Sequence, residues 1–111
     1  MIDRELLDTR KILGKEFFEG LLVKFERDSV PMLEQLKELN KAHKLSELSD
    51  AAHRIKGIAA NVGAKSLAEL CYKIQLGAEA GESSNLTAWI DQLPSQLTEA
   101  MTELKEYMKT F

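Results

Sequence analysis

Apolar residues recur at intervals of three and four through almost the whole chain, the period of an α-helix with one buried face. The longest run lies at about 15–40, with Phe17, Phe18, Leu21, Leu22 and Phe25, then Met32, Leu33, Leu36 and Leu39. Pro31 falls inside it and is expected to kink or split the helix, and Asn40 is the expected C-terminal stop. Leu45, Leu48, Ala52, Ile55, Ala59 and Val62 make a second stripe over about 45–62, with Gly63 as a left-handed cap. Ser66-Leu-Ala-Glu69 has capping-box spacing and opens a helix over about 66–80, whose stripe is Leu67, Leu70, Cys71, Ile74 and Ala78 and whose end is Gly81. A last segment, about 84–109, carries Leu86, Ile90, Leu93, Leu97, Met101, Leu104 and Met108, and Pro94 is expected to kink or restart it. A short helix at about 3–12, ending near Gly14, precedes these four. No strand alternation, repeat or low-complexity linker interrupts the pattern.

Four amphipathic helices with short connections predict an all-α fold, an antiparallel four-helix bundle with the short N-terminal helix as a lid. The connection at 62–65 is tight enough to require an αα-hairpin. With 111 residues the whole of 1–111 reads as one domain with a single core.

Composition narrows the function classes. Leu, Ala, Glu and Lys dominate while β-branched residues are sparse, which favours helices. The net charge of −3 is spread over interspersed acids and bases, and the absence of a basic run argues against nucleic-acid binding. No apolar stretch approaches the roughly 18 residues of a membrane span, and MIDRELLDTRK has no apolar signal-peptide core. One cysteine permits no internal disulfide and fits a reducing, cytoplasmic setting. Cys71 lies on an apolar stripe and reads as a small buried hydrophobe.

The stretch AAHRIKGIAANVGA, residues 51–64, carries the candidate chemistry. At about 100° per residue, His53 lies about 145° from the centre of the apolar arc and faces water. Ser46, Ser49, Lys56, Gly57, Ala60 and Ala64 surround it on the outer face. Glycine within a helix costs on the order of 1 kcal/mol relative to alanine. Gly57 stands one turn below His53, where any side chain would crowd the imidazole of a residue meeting an approaching body. Gly57, Ala60, Ser49 and Ala64 therefore read as a docking shelf. Lys56, also one turn away, can reach an anion held on the ring. An exposed helical histidine is ordinarily only solvated; the lysine, glycine and small-residue shelf together set His53 apart. His43, in the turn segment NKAHK, has no such setting and reads as surface filler. Neither a Gly-rich phosphate loop nor a carboxylate cluster for Mg²⁺ is visible, so no metal site and no cofactor are expected.

The stretch AAHRIKGIAANVGAKSLAELC resembles the signature of histidine-containing phosphotransfer (HPt) domains, carried here by Ala52, His53, Lys56, Gly57, Asn61, Gly63, Ala64, Leu67, Leu70 and Cys71. LGKEFFEGLLVKFERDSVPMLEQL is similar to the family's second helix, including a proline at the position of Pro31. The resemblance covers nearly the whole chain. It implies phosphorelay: His53 would take a phosphoryl group from the aspartyl phosphate of a response-regulator receiver domain and pass it to another. The chain would be a phosphocarrier and not an enzyme, with Mg²⁺ and catalytic acids supplied by the receiver. Receiver domains are the implied partners, with a hybrid sensor kinase as a second candidate, and the chain is expected to act as a monomer. Gln75 falls where some members, notably terminal domains of hybrid sensor kinases, have a glutamine beside the histidine; the alternative is an ordinary surface amide. Lys44 stands where the family often has an acid, which bears on the helix cap. The rival class is a helical adaptor that binds signalling partners without chemistry.

Overall fold

The computed structural model describes residues 1–81 and 84–111. Its helices are α1 (Arg4–Arg10), followed by a 3₁₀ turn at Lys11–Leu13, α2 (Lys15–Lys41), α3 (Leu45–Asn61), α4 (Lys65–Glu79), α5 (Leu86–Asp91) and α6 (Leu93–Met108). No strand occurs among the described residues. α2, α3, α4 and α6 form the expected antiparallel bundle. Phe18, early in α2, packs edge-on against Tyr107, late in α6, with ring centroids 6.0 Å apart. Ser49, early in α3, bonds Glu79 at the end of α4. At 1.5 Å per residue the 27 residues of α2 span about 40 Å, which accounts for the longest dimension of 43 Å.

Several turns differ from expectation. α2 is not split at Pro31 but continues through it as one helix. The ring is exposed and so is Arg27, whose carbonyl loses its N–H donor on the side open to water. Asn40 does not stop the helix. The left-handed position belongs to His43, at φ 55°. Its N–H donates to the Asn40 carbonyl (3.1 Å) and that of Lys44 to the Leu39 carbonyl (3.0 Å), the paired bonds of a Schellman closure. The His43 backbone thus makes the turn, while its side chain stays exposed at the surface. Gly63, at φ 81°, closes α3 in the same way, as expected. The capping box does not form: α4 starts at Lys65 directly from the Gly63 turn, and Ser66 is already inside its first turn. The Ser66 N–H instead donates to the Met1 carbonyl (3.2 Å), while the Asp3 N–H donates to the Gly63 carbonyl (2.8 Å). Pro94 restarts the last segment, standing in the first turn of α6 where a missing N–H costs nothing.

The core is a single cluster from Ile2 to Tyr107. Phe18 and not Phe17 faces it from α2; Phe17 stays 54% exposed, because neighbours 100° apart cannot both centre on one narrow face. Cys71 is fully buried, and burial pushes its thiol up to about 12, so it is no nucleophile. α1 closes the end of the bundle formed by the α3–α4 turn. Leu7 is fully buried, and a Cβ on Gly63 would stand 3.0 Å from its Cγ. Asp3 caps α1 by accepting from the Leu6 N–H at 3.1 Å.

Tyr107 ties this lid down by donating its hydroxyl proton to Asp8 Oδ1. Burial, then the Asp8 hydrogen bond and charge, raise the phenol to about 12, with Arg4 pulling the other way. The fold therefore favours the protonated phenol. That contribution is full below about pH 10 and is lost as the pH rises toward about 12. Tyr107→Phe is expected to cost about 1–2 kcal/mol at pH 8, and the gap to wild type to close by pH 12. Urea unfolding of the two proteins across this range measures it; a gap independent of pH would exclude the hydroxyl as its source.

Candidate functional site

Small residues set the site. α3 turns Ala51, Ala52 and Ala59 inward, and α4 meets it with Ala68, Gly77 and Ala78, all buried. Short side chains let two helices approach closely, so polar groups at the rim of the seam meet across it. His53 is exposed on α3, as its wheel angle predicts. Gln75 reaches it from α4: His53 Nδ1 and Gln75 Oε1 are 3.2 Å apart. The Gln75 Nε2–H donates to Glu79 Oε1 at 3.2 Å, and the buried Ser49 hydroxyl donates to the same oxygen at 3.1 Å. An ionised carboxylate only accepts, so Glu79 takes the nitrogen end of the amide and leaves the oxygen end for the imidazole. The other ring nitrogen, Nε2, has no hydrogen-bond partner among the described residues.

Lys56 is half-buried, with its ammonium 4.7 Å from the centroid of the Tyr72 ring. This cation–π contact holds the charge on the α4 side of the site. Gly57 and Ala60 are exposed and, with Lys56, Ala68 and Tyr72, line an open groove of about 390 Å³. A Cβ built on Gly57 meets nothing within 4 Å, so packing inside the chain does not require the glycine. Gly20 on α2 is equally open, so openness alone does not mark a site.

Two shelf residues are corrected. Ser49 is 7% exposed and Ala64 fully buried, so neither offers surface to a docking body. Ser49 lies under Glu79, and Ala64 lies beyond the last helical residue of α3, where the wheel no longer applies. Sequence reasoning missed Tyr72 and Glu79. Both stand at helical spacing from Gln75, three before and four after, which places all three on one side of α4.

Residues 20–107 match the family model for the Hpt domain. The chain belongs to the Hpt domain family. Histidine phosphotransfer in phosphorelays is accordingly its function, and its role is that of a phosphocarrier. Among solved structures it is similar to the crystal structure of histidine-containing phosphotransfer protein B (HptB) from Pseudomonas aeruginosa PAO1. The two share 25% identity with a TM-score of 0.88, over 99% of this chain and 96% of that one. No curated protein sequence matches. This Hpt domain has two histidines: His53 in the middle of a long helix, hydrogen-bonded to Gln75, and His43 in the α2–α3 turn. Among its described residues no helix is long and apolar enough to cross a membrane. Nor do these residues gather three His, Cys, Asp or Glu side chains that could hold a metal ion.

Proposed function

We propose that His53 is the residue that carries the phosphoryl group, received from the aspartyl phosphate of a receiver domain and passed to another receiver. The observation that carries this reading is the contrast between the two histidines. His53 is exposed and anchored through one ring nitrogen, with the other free of hydrogen-bond partners among the described residues and open space at Gly57. The His43 backbone is committed to a turn. In the transfer, the Nε2 lone pair forms the N–P bond while the bond from phosphorus to the aspartyl oxygen breaks, and the electron pair leaves with the carboxylate. The ring gains positive charge and keeps its proton on Nδ1, where the Gln75 carbonyl accepts it. Such a reaction needs alignment and charge neutralisation more than covalent machinery. The receiver supplies Mg²⁺ and the acids that hold it. Gly57 and Ala60 form the floor on which the receiver docks. The chain acts as a monomer in the cytoplasm, with residues 1–111 as one unit.

The test is incubation of the purified chain with a phosphorylated receiver. Acid-labile, alkali-stable phosphate on this chain supports the reading. Tight receiver binding without any transfer would leave the adaptor reading in its place.

Lys56 is assigned to charge stabilisation. Its ammonium rests on Tyr72 and can turn toward phosphoryl oxygens held on His53, where negative charge persists in transition state and product. Lys56→Ala is expected to slow transfer by about one to two decades, at about 1.4 kcal/mol each, without loss of receiver binding. Lys56→Arg should retain more activity. Rapid-quench rates at matched receiver occupancy decide it, and equal rates for wild type and Lys56→Ala would remove Lys56 from the site.

A further inference from the structure

We propose that Glu79 is a positioning residue that sets which nitrogen of His53 is the nucleophile, acting through the amide of Gln75. An amide can face a neighbouring imidazole with either end. Facing it with oxygen, it requires a donor at Nδ1 and leaves the lone pair on Nε2. Facing it with nitrogen, it requires an acceptor at Nδ1 and moves the ring proton to Nε2. A proton on Nε2 abolishes nucleophilicity at that atom. The hydrogen bond made by one ring nitrogen thus decides the state of the other, and whatever fixes the amide fixes the ring.

Glu79 fixes the amide. It lies one helical turn after Gln75, and its Oε1 accepts the Gln75 Nε2–H at 3.2 Å. The same oxygen accepts from the Ser49 hydroxyl at 3.1 Å, one turn before His53 on α3. Glu79 is itself exposed, but Ser49 is buried, so the carboxylate has a fixed anchor on the facing helix. The chain of contacts runs Ser49 to Glu79 to Gln75 to His53 and back to the helix on which it began. Its polarity is set by the one member that cannot donate, the carboxylate. During transfer the ring becomes more positive, and the same chain places a carbonyl dipole, backed by a negative charge, against Nδ1–H.

The inference rests on His53 being the phosphoryl acceptor, but its first readout does not need phosphate. Long-range ¹H–¹⁵N spectra of the unphosphorylated chain at about pH 8, above the ordinary imidazole range, report which nitrogen bears the proton. Wild type is expected to show the Nδ1–H form of His53. Glu79→Lys presents only donors, so the amide turns its oxygen to the new ammonium and its nitrogen to the ring; the Nε2–H form should then dominate. Glu79→Gln can still offer a carbonyl oxygen to Gln75 and Ser49 and should keep the wild-type tautomer. Glu79→Ala, which unpins the amide without adding a donor, should show a mixture and serves if Glu79→Lys does not fold. Transfer from a phosphorylated receiver should fall by about 10- to 100-fold in Glu79→Lys, the range found when a metal-binding histidine loses its outer partner. It should stay within about twofold of wild type in Glu79→Gln. A wild-type Nε2–H tautomer, or one unchanged in folded Glu79→Lys and Glu79→Ala, would overturn the inference. Tautomers that shift as expected in a chain that never accepts phosphate on His53 would uphold the positioning role of Glu79 and sink the phosphoryl-carrier assignment instead.

Discussion

His53→Gln is expected to abolish phosphate acceptance and leave the fold unchanged. The side chain is exposed, on a helix whose buried face is made by Leu48, Ala51, Ala52, Ile55 and Ala59, so its replacement opens no cavity. Glutamine is also a better helix former than histidine. Among the described residues its one hydrogen bond is to Gln75, which a new amide can replace. Chemistry, by contrast, has no substitute: an amide nitrogen carries no available lone pair, and His43 sits in the α2–α3 turn. Thermal melts of the two proteins should agree to within a few degrees, while mass spectrometry after exposure to a phosphorylated receiver should find phosphate on wild type only. Undiminished phosphate on the variant would overturn the assignment.

Replacing Gly57 should separate stability from transfer. Gly57→Ala adds a Cβ that meets nothing within 4 Å and replaces glycine with the best helix former, a gain of up to about 1 kcal/mol. Gly57→Gln should fold as well, since its side chain extends into the open groove. Under the proposed docking mode the receiver approaches His53 over Gly57, one turn away on the same face of α3. A side chain standing there is expected to slow transfer by about 100-fold, equivalent to about 2.7 kcal/mol. Gly20→Ala provides the control: the same local gain on a different helix, α2, with no change in transfer. Wild-type transfer by Gly57→Gln would show that the glycine is not there for docking.

How far the sequence could be read follows from which facts belong to one helix and which to two. The stripes of α3 and α4, the Gly63 and Gly81 turns and the outward angle of His53 are properties of a single helix, fixed by period and, at the turns, by glycine's access to positive φ. Gln75 was within reach because the resemblance supplied its partner. Ser49 and Ala64 were misplaced because a helical wheel has no neighbour in it: α4 and Glu79 cover the first, and the wheel ends before the second. The contact of Lys56 with Tyr72 depends on the register of α3 against α4, which a one-helix pattern does not contain. Glu79 was legible in part, since its spacing of four from Gln75 is visible, but its bond to Ser49 is not. The Ser66–Glu69 pattern misled for a related reason: α4 begins before Ser66, and the N-terminal segment, distant in sequence, supplies the carbonyl that accepts the Ser66 N–H. His43 took a left-handed turn that Asn40 suited better by residue type, because only three residues, 42–44, join α2 to α3.

The proposed transfer turns on one atom, Nε2 of His53. The most direct measurement is the phosphorylated chain prepared with ¹⁵N-labelled histidine, with the modified residue mapped by mass spectrometry and the modified nitrogen identified by NMR. The expected result is one phosphoryl group per chain, on His53, with phosphorus bonded to Nε2 and the proton retained on Nδ1. Phosphate on His43, on a serine or threonine, or on Nδ1 of His53 would contradict it.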